Sequence, residues 1–131
     1  MRPDPNVGRG SSQPPPEDRK RIEHILRCAR DAQRIVGDDS AELVGKDMIR
    51  SRALVNCFAE LGEAAARLTP EGRARTSNVP WSQVVGMRHI IVHVYWGIDL
   101  NELVQTVRAD LPTLISALET ALSDWPDTTA G

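Results

Sequence analysis

DDSAELVGKDMIRSRALVNCFAELGEAAARL, residues 38–68, carries apolar side chains at helical spacing on two faces at once. Val44, Met48, Val55, Phe58 and Ala65 fall on one stripe, and Leu43, Leu54, Cys57, Leu61 and Ala64 on another. Asp38, Asp39 and Ser40 supply N-cap chemistry, so the pattern predicts one long helix running to Leu68. A helix that is apolar on two faces has to be covered on both. One cover can be a helix of the same chain and the other a partner subunit, which makes a homodimer the expectation. Ala59, Gly62, Ala65 and Ala66 are small enough to admit a neighbouring backbone at close range.

Upstream, Ile22, Ile25, Leu26, Ala29 and Val36 recur at helical spacing with charges between them, a first amphipathic helix that Gly37 should end. Residues 1–16 hold five of the nine prolines together with Gly and Ser. Such a segment buries too little apolar surface to offset its ordering entropy, so a mobile tail is expected there. Downstream, TPEGRARTSNVP (69–80) reads as a turn-rich connection bounded by prolines. PWSQVVGMRHIIVHVY (80–95) reads as a third helix with Pro80 in its first turn and Gly97 as its cap. Asp99 and Glu102 resemble a capping box that opens a fourth helix through Leu122, kinked or split by Pro112 near Asp110. The expected architecture is an all-α antiparallel bundle of four to five helices over residues 17–125, followed by a flexible C-terminus at 126–131.

Composition agrees and narrows the function classes. A chain of 131 residues supports one core and hence one site. Five aromatic residues are too few for a β-sandwich or a sheet that stacks bases. A net charge of −2 means that any contact with nucleic acid has to come from a local patch. Cys28 and Cys57 lack metal-ligand or redox spacing and read as reduced core residues of a cytoplasmic protein. No apolar run approaches the roughly 18 residues that span a bilayer, so no membrane role is expected.

The densest group of reactive side chains is Arg88-His89-Ile-Ile-Val-His93-Val-Tyr95. A guanidinium presents a planar fork of donors to phosphate oxygens, and an imidazole moves a proton near neutral pH. Together they can perform phosphoryl transfer on RNA without a metal: the ribose 2′-hydroxyl is the nucleophile, His93 acts as acid or base, and Arg88 stabilises the charge that develops on phosphorus. Arg73 and Arg75 are further candidates for RNA contact. On an ideal helix His93 lies about 140° round from Arg88, whereas Tyr95 lies within roughly 20° of it. A straight helix therefore separates the pair, and either a loosened helix or a second copy across a two-fold axis is needed to complete a site. The bland alternative is that these histidines are structural. A second alternative, metal binding by His89 and His93 at four-residue spacing, lacks an obvious third ligand.

R-x4-H-x-Y at Arg88, His93 and Tyr95 resembles the signature of the HepT-like branch of the HEPN superfamily, together with LGEAAA in the second predicted helix, VPWSQVVGMR ahead of the motif and DLPTL after it. The resemblance runs over residues 18–124. It implies a dimeric helical bundle with two such segments at one cleft, and metal-independent endoribonuclease action that leaves a 2′,3′-cyclic phosphate. It implies no cofactor and no metal, with Arg88 and His93 as the catalytic pair. It also implies a toxin of a type VII-like toxin–antitoxin pair, silenced when a MntA-like nucleotidyltransferase antitoxin adds AMP to Tyr95. His89 departs from the pattern, in which Asn or Asp commonly follows the Arg, and stands as a supporting donor. Because members of this superfamily can also bind without cleaving, a non-catalytic helical subunit of a nucleotidyltransferase complex is the alternative.

Overall fold

The computed structural model describes residues 16–76, 78–89 and 100–126, and the described residues are helical, without strands. The elements are α1 (Pro16–Val36), α2 (Ala41–Lys46), α3 (Met48–Ala66), α4 (Pro70–Arg75), α5 (Trp81–Gly86), a 3-10 turn at Met87–His89, α6 (Asn101–Ala109) and α7 (Leu111–Ser123). The expected tail, apart from Pro16, and all but the first residue of the expected flexible C-terminus lie outside the described residues. No helix among the described residues is long and apolar enough to cross a membrane.

Helix α1 buries the stripe expected of it, with Ile22, Ile25, Ala29 and Val36 at 0% exposure. It stops at Gly37, whose φ of 55° is a left-handed conformation that L side chains rarely adopt, and the Gly37 N–H closes the last turn on the Gln33 carbonyl at 2.8 Å.

The long second helix expected from residues 38–68 is two helices, and Asp47 is the reason. Ser40 caps α2 through its hydroxyl, which accepts from the Leu43 N–H at 3.2 Å. Asp47 then leaves the helical region (φ −97°, ψ 104°), and its carboxylate accepts from the N–H groups of Ile49 and Arg50 at 3.0 and 3.1 Å. A short acidic side chain that caps the following turn competes with helix continuation, which breaks the pattern. Two residues assigned to the apolar stripes, Leu43 and Met48, are consequently 52% and 64% exposed, and Ile49 beside them is 81% exposed.

Helix α3 is nonetheless buried on two sides. It packs on α1 along one and against α5 and the 3-10 turn along another, with α2 at its start. Both faces are thus covered within the chain, so the spare face from which a partner subunit was inferred is taken up by α5. Leu54, Phe58, Leu61 and Ala65 lie at 1% exposure or less. Helices α6 and α7 close the bundle against α1.

The connection after α3 is ordered. Thr69 caps α4, accepting from the Gly72 N–H at 3.1 Å, with Pro70 in the first turn. The Thr69 N–H and hydroxyl in turn donate to Asp18, a carboxylate of α1 that is fully buried. The Trp81 indole N–H donates to the Thr76 hydroxyl at 2.8 Å, tying the start of α5 to the same turn. Pro112 splits the last helix as expected: α6 ends at Ala109, and α7 begins at Leu111 with the proline in its first turn, where its missing N–H costs nothing. Helix α6 has Leu100 at its cap position without a side-chain cap, and Asp99 of the expected capping box lies outside the described residues. The four to five helices expected from sequence thus become seven α-helical segments among the described residues, through the break at Asp47, the added α4 and the split at Pro112.

One side chain holds the α1–α3 corner together. The Arg50 guanidinium donates to the Ile35 carbonyl at 2.7 and 3.1 Å and to the Val36 carbonyl at 3.2 Å, and it pairs with Asp39 at 2.9 Å. Cationic donors on the last carbonyls of a helix satisfy orphan acceptors and favour its dipole. Arg50→Ala should therefore lower the unfolding free energy by about 2 kcal/mol, whereas Arg52→Ala, at an exposed position, should change it by less than about 0.5 kcal/mol. Urea denaturation followed by circular dichroism measures both, and equal effects would refute the capping role.

Candidate functional site

The third helix expected over residues 80–95 starts at Trp81 but does not run on as an α-helix. It changes to a 3-10 turn at Met87–His89, and the two candidate residues in that stretch that are described, Arg88 and His89, belong to the turn. His93 and Tyr95 lie outside the described residues. The 140° separation of Arg88 and His93 assumed an ideal α-helix, and the tighter 3-10 winding removes that premise at Arg88.

Arg88 is positioned by two consecutive residues of α3. A Cβ added at Gly62 would lie 2.7 Å from the Arg88 Cβ and 3.2 Å from its backbone nitrogen, so the absence of a side chain at Gly62 is what lets the turn press onto α3. Trp81, Val84 and Met87 anchor that approach by burying their side chains in the core. Glu63, the next residue of α3, reaches the Arg88 guanidinium with an Nη1–Oε1 distance of 2.8 Å. The side chains are 35% and 55% exposed. An ion pair this open adds at most about 1 kcal/mol of stability. Its consequence is orientation: the guanidinium is aimed while still reachable from solvent.

Glu63 also borders a groove of about 350 Å³ between α1 and α3, lined by Lys20, Arg21 and His24 on one side and Glu60, Glu63 and Arg67 on the other. The groove next to Arg88 is mixed in charge, with Lys20, Arg21 and Arg67 set against Glu60 and Glu63, and Arg21 already paired with Asp18 at 3.3 Å. His24 of α1 is half-buried; its Nε2 lies 3.2 Å from Glu60 Oε1 and 3.6 Å from Cys28 Sγ. Cys28 and Cys57 are buried free thiols, as their sequence context suggested. Burial, with the Glu60 carboxylate as the next cause, pushes the Cys28 thiol up to about 12, and burial pushes Cys57 up to about 11. Neither is a thiolate nucleophile near neutral pH.

The other sequence candidates are dispersed. His89 is exposed beside Arg88. Arg73 is half-buried on α4 and donates to the Ala65 carbonyl at 3.1 Å, serving the end of α3. Arg75 is exposed and donates to the Asp124 carbonyl at 3.3 Å. Sequence reasoning noted Gly62 only as a small residue and assigned Glu63 no role. The separation of 25 positions between Glu63 and Arg88 leaves no local signal for their pairing.

Comparison with known proteins places the chain in a wider set. The family model described as "Ribonuclease HepT-like" matches residues 25–121. A protein named "Putative RNase" from Caldanaerobacter subterraneus subsp. tengcongensis is 34% identical over 94 residues, covering 71% of this chain and 83% of its own. Another of that name from Methanocaldococcus jannaschii is 34% identical over 96 residues, covering 72% and 87%. "Probable ribonuclease HepT" from Thermococcus cleftensis is 28% identical over 67 residues, covering 51% and 61%. No solved structure matches the chain.

The two contacts of Arg88 predict unequal effects. Gly62→Ala should destabilise the fold by about 1–3 kcal/mol, because the turn has to move off α3. Glu63→Gln should cost less than about 1 kcal/mol. Equal losses in denaturant titrations would mean that the ion pair, not the close approach, holds the turn.

Proposed function

Because the chain belongs to the HepT-like ribonuclease family, we propose that it is a metal-independent endoribonuclease toxin acting through Arg88 and His93. The observation that carries this reading is the presentation of Arg88, backed against Gly62, aimed by Glu63 and about a third exposed beside an open groove. A fixed guanidinium that a ligand can still reach suits a phosphodiester whose charge grows during reaction. In the proposed reaction the ribose 2′-oxygen attacks phosphorus and the bond to the 5′-oxygen breaks. His93 handles the proton lost by the nucleophile or gained by the leaving alcohol, and the products are a 2′,3′-cyclic phosphate and a free 5′-hydroxyl. His89 is the supporting donor, and Arg75 a peripheral phosphate contact. Arg73 has a weaker claim, since its guanidinium already serves the Ala65 carbonyl.

A homodimer belongs to the same reading. Three large apolar side chains, Leu43, Met48 and Ile49, stand exposed together where α2 meets α3, a surface that favours association.

Arg88→Ala and His93→Ala should each reduce RNA cleavage by at least about 10²-fold while the helical circular dichroism spectrum is retained, since a transition-state contact is lost and not core volume. Cleavage by the unaltered chain should persist in EDTA. An equally expressed variant that still cleaves would overturn the assignment, and an unaltered chain that binds its partner yet never cleaves RNA would favour a non-catalytic binding subunit.

Silencing is proposed to occur at Tyr95. Its phenolic oxygen attacks the α-phosphorus of ATP on a MntA-like nucleotidyltransferase antitoxin, pyrophosphate leaves, and the AMP now attached competes with RNA for Arg88 through both bulk and charge. Intact-mass measurement after co-expression with such a nucleotidyltransferase should show an AMP-sized addition that Tyr95→Phe abolishes. No addition, or one that survives Tyr95→Phe, would leave neutralisation to binding alone.

A further inference from the structure

A second cluster of reactive side chains lies one turn of α3 away from the Glu63–Arg88 pair. His24 and Cys28 are four residues apart on α1 and share a face, and Glu60 meets them from α3. The imidazole Nε2, the thiol sulfur and a carboxylate oxygen all lie within 4.8 Å of one another. We propose that His24, Cys28 and Glu60 form a binding site for a thiophilic divalent metal ion, with Zn²⁺ the best match.

The geometry carries the proposal. With ordinary bond lengths, a tetrahedral Zn²⁺ holds a nitrogen and a sulfur ligand about 3.6 Å apart, and a nitrogen and an oxygen about 3.4 Å apart. The corresponding separations here are 3.6 Å from His24 Nε2 to Cys28 Sγ and 3.2 Å from the same nitrogen to Glu60 Oε1. A hydrogen bond from Nε2–H to Glu60 joins only two of the three groups and leaves the Cys28 sulfur facing the same point. A cation between the three satisfies all of them.

The surroundings suit the same role. The Asn56 amide donates to the second carboxylate oxygen of Glu60, which orients the first towards His24, the kind of support that outer residues give to metal ligands. The mixed nitrogen, sulfur and oxygen donor set is one that Zn²⁺ accepts and that hard ions such as Mg²⁺ avoid. His24 and Glu60 line the groove between α1 and α3, which gives the ion an entry path and lets a water complete the tetrahedron. On binding, the Cys28 S–H bond breaks, an S–Zn bond forms and the proton leaves to solvent. The ion would staple α1 to α3. No ligand comes from R-x4-H-x-Y, so metal binding here and metal-independent cleavage are compatible, and each can fail without the other.

Co²⁺ is the probe, since coordination by thiolate produces a near-ultraviolet charge-transfer band that oxygen and nitrogen ligands do not. Tag-free full-length chain, stripped of metal with EDTA and dialysed, should take up one Co²⁺ per chain with that band, and Zn²⁺ should displace it. Cys28→Ser should abolish the band. His24→Ala and Glu60→Gln, both at partly exposed positions where folding is little affected, should weaken Co²⁺ binding by at least roughly tenfold. Cys57→Ser and His89→Ala should leave it unchanged. A chain that develops no charge-transfer band, a band that survives Cys28→Ser, or full affinity in His24→Ala and Glu60→Gln would overturn the site.

Discussion

The spacing between α3 and the 3-10 turn at Met87–His89 is the dimension on which the rest of the molecule depends. Gly62 sets it, because a Cβ there would come within 2.7 Å of the Arg88 Cβ. Given that spacing, Trp81, Val84 and Met87 can reach the core, and Glu63 comes within hydrogen-bonding reach of the guanidinium. Core packing and site geometry are therefore set by one contact. An apolar cover on the second face of α3 and a directed arginine at its edge are two results of the same close approach.

Polar side chains act where helices end. Asp47 stops one helix and starts the next, Arg50 collects the last carbonyls of α1, and Asp18 receives the N–H and hydroxyl of Thr69. Each satisfies backbone groups that a helix leaves unpaired at its terminus. The apolar stripes decide which faces meet, and these polar contacts decide where the chain turns.

That division explains what could be read from sequence. Periodicity is a local property, so the stripe of α1, the stop at Gly37 and the split before Pro112 were legible from neighbouring residues. The break at Asp47 was not, because an aspartate in a long helical pattern looks like any solvated residue until its carboxylate is seen to accept from Ile49 and Arg50. The start of α4 carried a readable signal, threonine then proline then glutamate, but the turn-rich composition and the bounding prolines suggested a loop. The motif at Arg88 was recognisable, whereas its supports were not: Glu63 is distant in sequence, and Gly62 matters only because of what faces it. His24 and Glu60 meet across 36 positions, a relation that no helical periodicity encodes.

Asp18 has a consequence for where the folded unit begins. The apolar stripe of α1 starts at Ile22, and a boundary drawn at the first core residue would discard the preceding turn as surface. That turn holds a carboxylate with no solvent exposure, against which Gly72 is packed too closely to accept even a methyl group. A chain trimmed to residue 22 would leave the Thr69 N–H and hydroxyl without their acceptor and open a polar void beneath α4, although no core side chain had been touched. The minimal autonomous domain is therefore longer than its hydrophobic pattern, because its N-terminal edge is drawn by a buried anion.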